Sequence, residues 1–130
     1  MLQYLRSSSN DSVISTQEKL RTGSWVRCER PSDEEVAQLL TLGLDEDLIS
    51  DALDPHEVPR IEFDNDWTYL IARLPDTDDD FNDFTTPILF CLNKDYLVTL
   101  SRDSLGRLWQ PFIDKTRIRT DRQIELLVTM

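Results

Sequence analysis

Carboxylates are the chemistry-bearing side chains this sequence holds in quantity. Three of them, Asp47, Asp51 and Asp54, recur at about one helical turn in the stretch Leu44–Pro55. Leu44, Leu48, Ile49, Ala52 and Leu53 recur at helical spacing in the same stretch, so the spacing predicts a helix with the three aspartates on its polar face. Oxygen ligands are what a hard divalent cation takes, and Mg²⁺ usually binds one or two carboxylates while keeping several waters. Asp51 and Asp54 fall in the last turn of the expected helix, where the macrodipole disfavours a negative charge by roughly 0.3–1 kcal/mol each. A bound cation would offset that cost. The same residues also read as an ordinary solvated face, with Asp54 opening the Asp54-Pro55 turn.

Other chemistry is poorly supplied. His56 is the single histidine, which leaves acid–base catalysis and zinc binding short of ligands. Asp54, His56 and Glu57 share one short loop and form only a weak metal constellation. A calcium-loop reading from Asp76 fails, because Phe81 occupies the glycine position and Pro87 the closing glutamate position. No nucleophile elbow, Walker loop or dinucleotide fingerprint is present, and the chain has 3 glycines in all. The residues therefore argue against an enzyme; a small acid hydrolase would need a convergent acid–base pair that the sequence does not offer. Cys28 and Cys91 lie far apart, each inside an apolar segment, and read as buried free thiols in a reducing compartment.

Charge narrows the partners. Twenty-five acidic against 14 basic residues give a formal net charge of −11. Such a surface repels nucleic acid and anionic lipid, and admits cations, metal ions or basic protein segments. The 130 residues suit one domain. No apolar run approaches the ~18 residues of a membrane span, and the first residues lack the pattern of a signal peptide. The chain reads as one soluble intracellular domain, 1–130.

The elements that must position these groups alternate between strand and helix. Leu2–Arg6, Val13–Thr16 and Ser24–Glu29 are expected strands. Ser32 and Glu35 form a capping box for a helix carrying Val36, Leu39, Leu40 and Leu42, with Gly43 as its stop. After the acidic helix come two hairpins, Arg60–Phe63 with Trp67–Leu74 and Thr86–Leu92 with Tyr96–Ser101. Between them Pro75 opens an acidic loop, expected to be mobile and metal-free from Asp76 to Asp83. The second hairpin is nearly all apolar, which calls for helices on both faces of its sheet, with Trp25, Leu70, Leu89 and Val98 buried. Helix resumes from Ser104, with Pro111 set to kink or restart it. Asp121–Met130 begins a last helix that reaches no cap.

One stretch is patterned beyond the generic: Leu48-Ile49-Ser50-Asp51-Ala52-Leu53-Asp54-Pro55, then Val58-Pro59-Arg60-Ile61-Glu62-Phe63, then Tyr69-Leu70-Ile71 and Leu74-Pro75. Trp25-Val26 with Pro31 and Glu34-Glu35 precedes it, and Thr86-Pro87-Ile88 through Leu97-Val98-Thr99-Leu100-Ser101-Arg102 follows. In this order the pieces resemble the N-terminal soluble domain of CorA-type magnesium transporters, from Trp25 to Arg102 and more loosely to Met130.

The resemblance implies an α+β fold, an αβα sandwich whose mixed sheet contains both hairpins, on the cytoplasmic side of the cell membrane. It implies that the chain is cut before the long helix and the transmembrane region, so contact with the membrane would come only through that missing part. An aspartate at the position of Asp51 in the family helps hold a regulatory divalent ion between neighbouring subunits of a homopentamer, and the occupied sites keep the transporter closed. Asp47 and Asp54 are its candidate companions. The ion implied is Mg²⁺, sensed and transported, with Co²⁺, Ni²⁺ or Zn²⁺ as alternatives. Two features depart from the pattern: Ser50 stands where some members carry an acid, and the partner carboxylate belongs to the long helix. The chain therefore holds half a site. The alternatives are a domain of the related zinc transporters and a free-standing acidic module that binds a basic partner.

Overall fold

Apolar alternation along the strands places two sets of side chains back to back, and both sets find cover. The computed structural model describes residues 1–7, 14–77, 83–114, 119–120 and 127. Its strands are β1 (Leu2–Arg6), β2 (Ser15–Gln17), β3 (Ser24–Glu29), β4 (Arg60–Asp64), β5 (Trp67–Thr77), β6 (Asp83–Leu92) and β7 (Tyr96–Ser101). Its helices are α1 (Asp33–Leu40), α2 (Glu46–Ala52) and α3 (Gly106–Ile113). The strands form one seven-stranded mixed sheet in the order β2-β1-β3-β7-β6-β5-β4. Strands β3 and β7 run parallel, with Trp25 opposite Leu97 and Cys28 opposite Leu100, and the other pairings are antiparallel.

One face of the sheet presents Val26, Cys28, Leu89 and Val98 to Leu39 of α1 and to Leu48, Ile49 and Ala52 of α2. The opposite face presents Trp25, Ile88, Phe90 and Leu97 to Leu105 and Trp109 at α3. There the rings of Trp25 and Trp109 meet edge to face, with centroids 5.4 Å apart. Helices on both faces of a mixed sheet are what the apolar second hairpin demanded. Trp25, Leu89 and Val98 are fully buried. Leu70 is only half-buried, since it packs against the outside of the α3-side cluster, whereas Tyr69 and Ile71 of the same strand are buried on the other face.

Trp25, Arg27 and Glu29 carry polar groups into the α3 layer that are paired. Arg27 and Glu29 point to the same face as Trp25 and form a buried ion pair, Nε to Oε2 at 2.5 Å. Glu29 Oε1 also accepts the Leu105 N–H at 2.5 Å, which fixes the entry to α3. Trp25 Nε1 donates to Thr99 Oγ1 at 2.9 Å.

Local signals act where they stand in the sequence. Ser32 Oγ accepts from Glu35 N at 3.2 Å and Glu35 Oε1 accepts from Ser32 N at 3.0 Å, a complete capping box at α1. Gly43 turns the chain after α1 with φ +93°, a left-handed value that favours glycine. The turn between β4 and β5 uses Asn65 at φ 53°, and the turn between β6 and β7 is closed by Asn93 Oδ1, which accepts from Asp95 N and Tyr96 N.

Several expectations need correction. The acidic loop expected from Pro75 is in large part paired strand, since β5 runs to Thr77 and β6 starts at Asp83, with Pro75 opposite Thr85 and Thr77 opposite Asp83. β4 ends its pairing at Ile71 and β7 at Ile88. Beyond those residues, among the described residues, β5 and β6 pair only with each other, as a two-stranded ribbon. Each ribbon strand has an open edge, which is where a proline can sit in a sheet. The rest of that loop, 78–82, lies outside the described residues. Strand β2 begins at Ser15, and Val13 lies outside the described residues. Helix α2 is shorter than the expected Leu44–Leu53, because Asp45 takes the N-cap and Leu53 the C-cap. Pro111 sits inside α3 without restarting it, and Asp114 N still donates to Gln110 O at 3.0 Å. The final expected helix, Asp121–Met130, lies outside the described residues except for Leu127, which packs half-buried on the α3 layer.

Candidate functional site

Helix α2 is held by its ends and its buried stripe. Asp45 Oδ1 caps it by accepting from Leu48 N at 3.1 Å, and Asp45 N donates to Tyr69 Oη at 3.0 Å. Leu48, Ile49 and Ala52 lie against the sheet, which leaves Glu46, Asp47 and Ser50 exposed and Asp51 at the margin. Burial of the tyrosine ring raises its hydroxyl above the usual tyrosine range, so it stays a donor and acceptor at neutral pH.

The structure separates the three expected ligands. Asp47 stands in the first turn of α2, where the positive end of the helix favours it. Asp51 stands in the last turn with its side chain 42% exposed. Asp54 is not in the helix. It lies beyond the Leu53 C-cap, where its N–H donates to Asp51 O and its Oδ1 accepts from His56 N at 2.9 Å. The physical reason is the turn at Asp54-Pro55, since an Asx side chain bonded two residues on competes with helix. Asp47 and Asp51 thus share one helical face, and Asp54 belongs to the following loop.

Asp51 has a counter-charge that the sequence reading did not assign. Arg60 Nη2 meets Asp51 Oδ2 at 2.5 Å. The same guanidinium pairs through Nη1 with Glu57 Oε1, and its Nε lies 3.0 Å from Glu62 Oε1. The latter contact is a close charge pair without hydrogen-bond alignment. Arg60 opens β4 opposite Ile71, so it points to the face of the sheet that α2 covers, and Glu62 shares that face by the two-residue period. The hydrogen bond that Arg60 donates to Asp51 is the main cause that raises the guanidinium above its ordinary value, against partial burial.

A second arginine fixes the connection. Arg73 on β5 donates from Nη1 to Pro55 O and Glu57 O, both at 3.0 Å, and from Nε to Thr85 Oγ1 at 2.8 Å. The loop from Asp54 to Pro59 is therefore tied to β4 and β5 by two guanidinium groups. His56 and Asp54 are exposed within it, and among the described residues no three of His, Cys, Asp and Glu converge on one point. Pro59-Arg60-Ile61-Glu62 was legible as a pattern, but the arginine's partner on α2 was not, since it depends on how β4 pairs with β5.

Asp47 and Asp51 are carboxylates on the outer face of α2. A partly exposed carboxylate on a rigid helix is the ligand class that Mg²⁺ takes, and one or two such groups with retained water suffice. The two thiols, which softer metals seek, are buried in the core at Cys28 and Cys91.

A family model described as "CorA-like Mg2+ transporter protein" matches residues 21–127. The chain belongs to the CorA-like Mg²⁺ transporter family. Among curated CorA relatives, the "Cobalt/magnesium transport protein CorA" of Methanocaldococcus jannaschii is 30% identical over 109 residues, covering 80% of this chain and 34% of that protein. The structure of the soluble domain of CorA from the same organism superposes with a TM-score of 0.76 at 25% identity, covering 98% of this chain and 52% of that one. The cytoplasmic domain of ZntB from Vibrio parahaemolyticus shares the fold, with a TM-score of 0.61 at 13% identity and coverage of 87% of this chain and 50% of that one. The chain spans about a third of the length of the curated CorA protein it matches. The CorA family is one of transporters rather than enzymes. No helix among the described residues is long and apolar enough to cross a membrane, and the match to a soluble CorA domain accounts for the part of the architecture seen here.

Proposed function

We propose that this chain is the cytoplasmic metal-sensing domain of a CorA-type divalent-cation transporter, in which Mg²⁺ held at Asp51 between neighbouring subunits of a homopentamer keeps the transport path closed. The family match across residues 21–127 carries this reading. The position of Asp51 supports it: the carboxylate stands at the exposed end of a helix whose other face is locked into the core. Asp47, one turn earlier on the same face, adds a carboxylate that can hold the ion's water shell. Asp54, outside the helix and engaged in its own turn, contributes charge rather than a ligand.

Asp47 and Asp51 offer oxygen donors, which favour a hard ion, Mg²⁺ ahead of Zn²⁺. Co²⁺ and Mg²⁺ are the ions in the name of the M. jannaschii relative. The transported ion is taken to be the same Mg²⁺, with Co²⁺ as its companion. The acidic surface, with a net charge of −11, raises the local cation concentration and keeps the domain off anionic lipid and nucleic acid. The family match favours this reading over a free-standing acidic module.

Gating follows from linkage. An ion that binds only the closed arrangement stabilises it by RT ln(1 + [L]/Kd), and removing a ligand raises Kd. In the transporter that carries this domain, Asp51→Ala should leave transport open at higher internal Mg²⁺. A flux assay at controlled internal Mg²⁺ tests this, and closure of mutant and parent at the same concentration would make Asp51 a plain surface acid.

A further inference from the structure

The Asp51 carboxylate is not waiting bare for an ion. It already has a cation in contact, the Arg60 guanidinium, delivered by a different element. We propose that Arg60 is the built-in competitor of the divalent ion at Asp51, holding the carboxylate when no ion is bound and setting the concentration at which an ion displaces it. This inference rests on the metal reading of Asp51.

Placement of the guanidinium is fixed by the sheet. Pairing of Arg60 with Ile71 sets where the side chain leaves β4, so it reaches the end of α2 without any movement of that helix. Arginine has five N–H donors in a rigid fork, and here the fork faces Asp51 on α2, Glu57 in the loop and Glu62 on its own strand. A divalent ion on the Asp51 carboxylate and a guanidinium on the same group repel one another. Ion binding therefore means that Nη2 lets go of Oδ2. Release costs little, because Glu57 and Glu62 still face the same guanidinium and no cation is stranded. The arrangement is a hand-over: the arginine moves its share of pairing from α2 to the loop and β4, and the ion takes its place on α2.

Two consequences distinguish this from a purely structural ion pair. An Arg60→Gln chain should bind divalent ions more tightly than the parent, by about two- to fivefold, the size expected for an exposed ion pair removed from competition. A structural ion pair would give the reverse, because loosening Asp51 would weaken any site built on it. The second consequence is spectroscopic. Added Mg²⁺ should shift the Arg60 Nε–H resonance in the parent and leave it unmoved in Asp51→Asn.

The test uses the 130-residue chain with Mn²⁺ as a paramagnetic probe and Mg²⁺ as its diamagnetic counterpart, followed by ¹⁵N-resolved NMR. The expected result is Mn²⁺ broadening centred on Asp51, half-saturating at lower concentration in Arg60→Gln and lost in Asp51→Asn. If Arg60→Gln binds Mn²⁺ equally or more weakly while Asp51→Asn still abolishes broadening, the competitor role is wrong and the metal reading stands. If Asp51→Asn binds as the parent does, the ion sits elsewhere and both fall. Should Arg60→Gln fail to fold, Arg60→Met keeps the aliphatic stem and loses the charge; a gain in affinity supports the hand-over, and no gain overturns it.

Discussion

At the scale of single residues, charge is handled in two ways on the two sides of the sheet. Asp51 and Arg60 meet at the surface, where an ion pair is worth about 0.2–1 kcal/mol. Asp51→Ala loses that pair and also removes a negative charge from a helix C-terminus, a gain of roughly 0.3–1 kcal/mol. The two changes oppose each other, so urea unfolding of the variant should match the parent to within about 0.5 kcal/mol. Arg27 and Glu29 are the contrary case, buried under α3 with Glu29 also holding the Leu105 N–H. Glu29→Ala leaves a buried guanidinium without its carboxylate, with Gln3 Oε1 as a neutral acceptor, and should cost about 3 kcal/mol in the same measurement; a loss below about 1 kcal/mol would mean water reaches Arg27 freely. The thiols add a third expectation. Burial is the main cause that pushes the Cys28 thiol up to about 12, and Cys91 is raised by burial as well. Both should ignore a thiol reagent at pH 8 until denaturant is added, and prompt labelling of the folded chain would contradict the packing. Asp51 was legible in the sequence because helical spacing reports a face directly. Arg60 was not, because its partner lies nine residues away on another element, and which face of β4 the arginine takes depends on pairing with β5.

Elements were legible wherever a local signal was complete. Ser32 and Glu35 announced α1 in full, Asn93 announced the turn before β7, and the alternation in Ser24–Glu29 announced β3. The same logic failed at Pro75–Thr77 and at Asp83 and Phe84, where acidic composition and a proline read as loop. Composition reports what a segment can bury and is blind to cross-strand pairing, which joins these residues of β5 and β6, with Arg73 clamped on Thr85. The capping box also carries a pH signature. Hydrogen bonding to the Ser32 backbone, and then to the N-terminal ammonium, lowers the Glu35 carboxyl below its usual value of 4.5. A carboxylate depressed in the folded state adds stability that is present above its unfolded value and is lost as pH falls through the folded one. Thermal melts of parent and Glu35→Gln should therefore differ at pH 7 and converge below about pH 4, the ordinary carboxylate range. An undiminished gap at pH 3 would show that the side chain acts through packing and not through its charge.

Over the whole molecule, the excess of acids decides how the fold meets ions. A net charge of −11 repels itself, so any salt should stabilise the chain by screening. Mg²⁺ does the same as a general counter-ion, and a rise in melting temperature with MgCl₂ proves nothing alone. The discriminating comparison holds ionic strength constant. A site at Asp51 adds RT ln(1 + [L]/Kd), about 1.4 kcal/mol once Mg²⁺ reaches tenfold its Kd, whereas screening depends on ionic strength and not on which salt supplies it. For a domain of this size that is several degrees, about 4 °C per kcal/mol. Melting in MgCl₂ should then exceed melting in NaCl of equal ionic strength, and the excess should disappear in Asp51→Asn while the common rise with salt remains. Arg60→Gln should reach the same excess at lower Mg²⁺, since the ion no longer competes with the guanidinium for the carboxylate. Equal melting in the two salts for the parent would leave the acidic surface as a diffuse ion atmosphere, and α2 would then be an acidic helix end neutralised by an arginine and by nothing else.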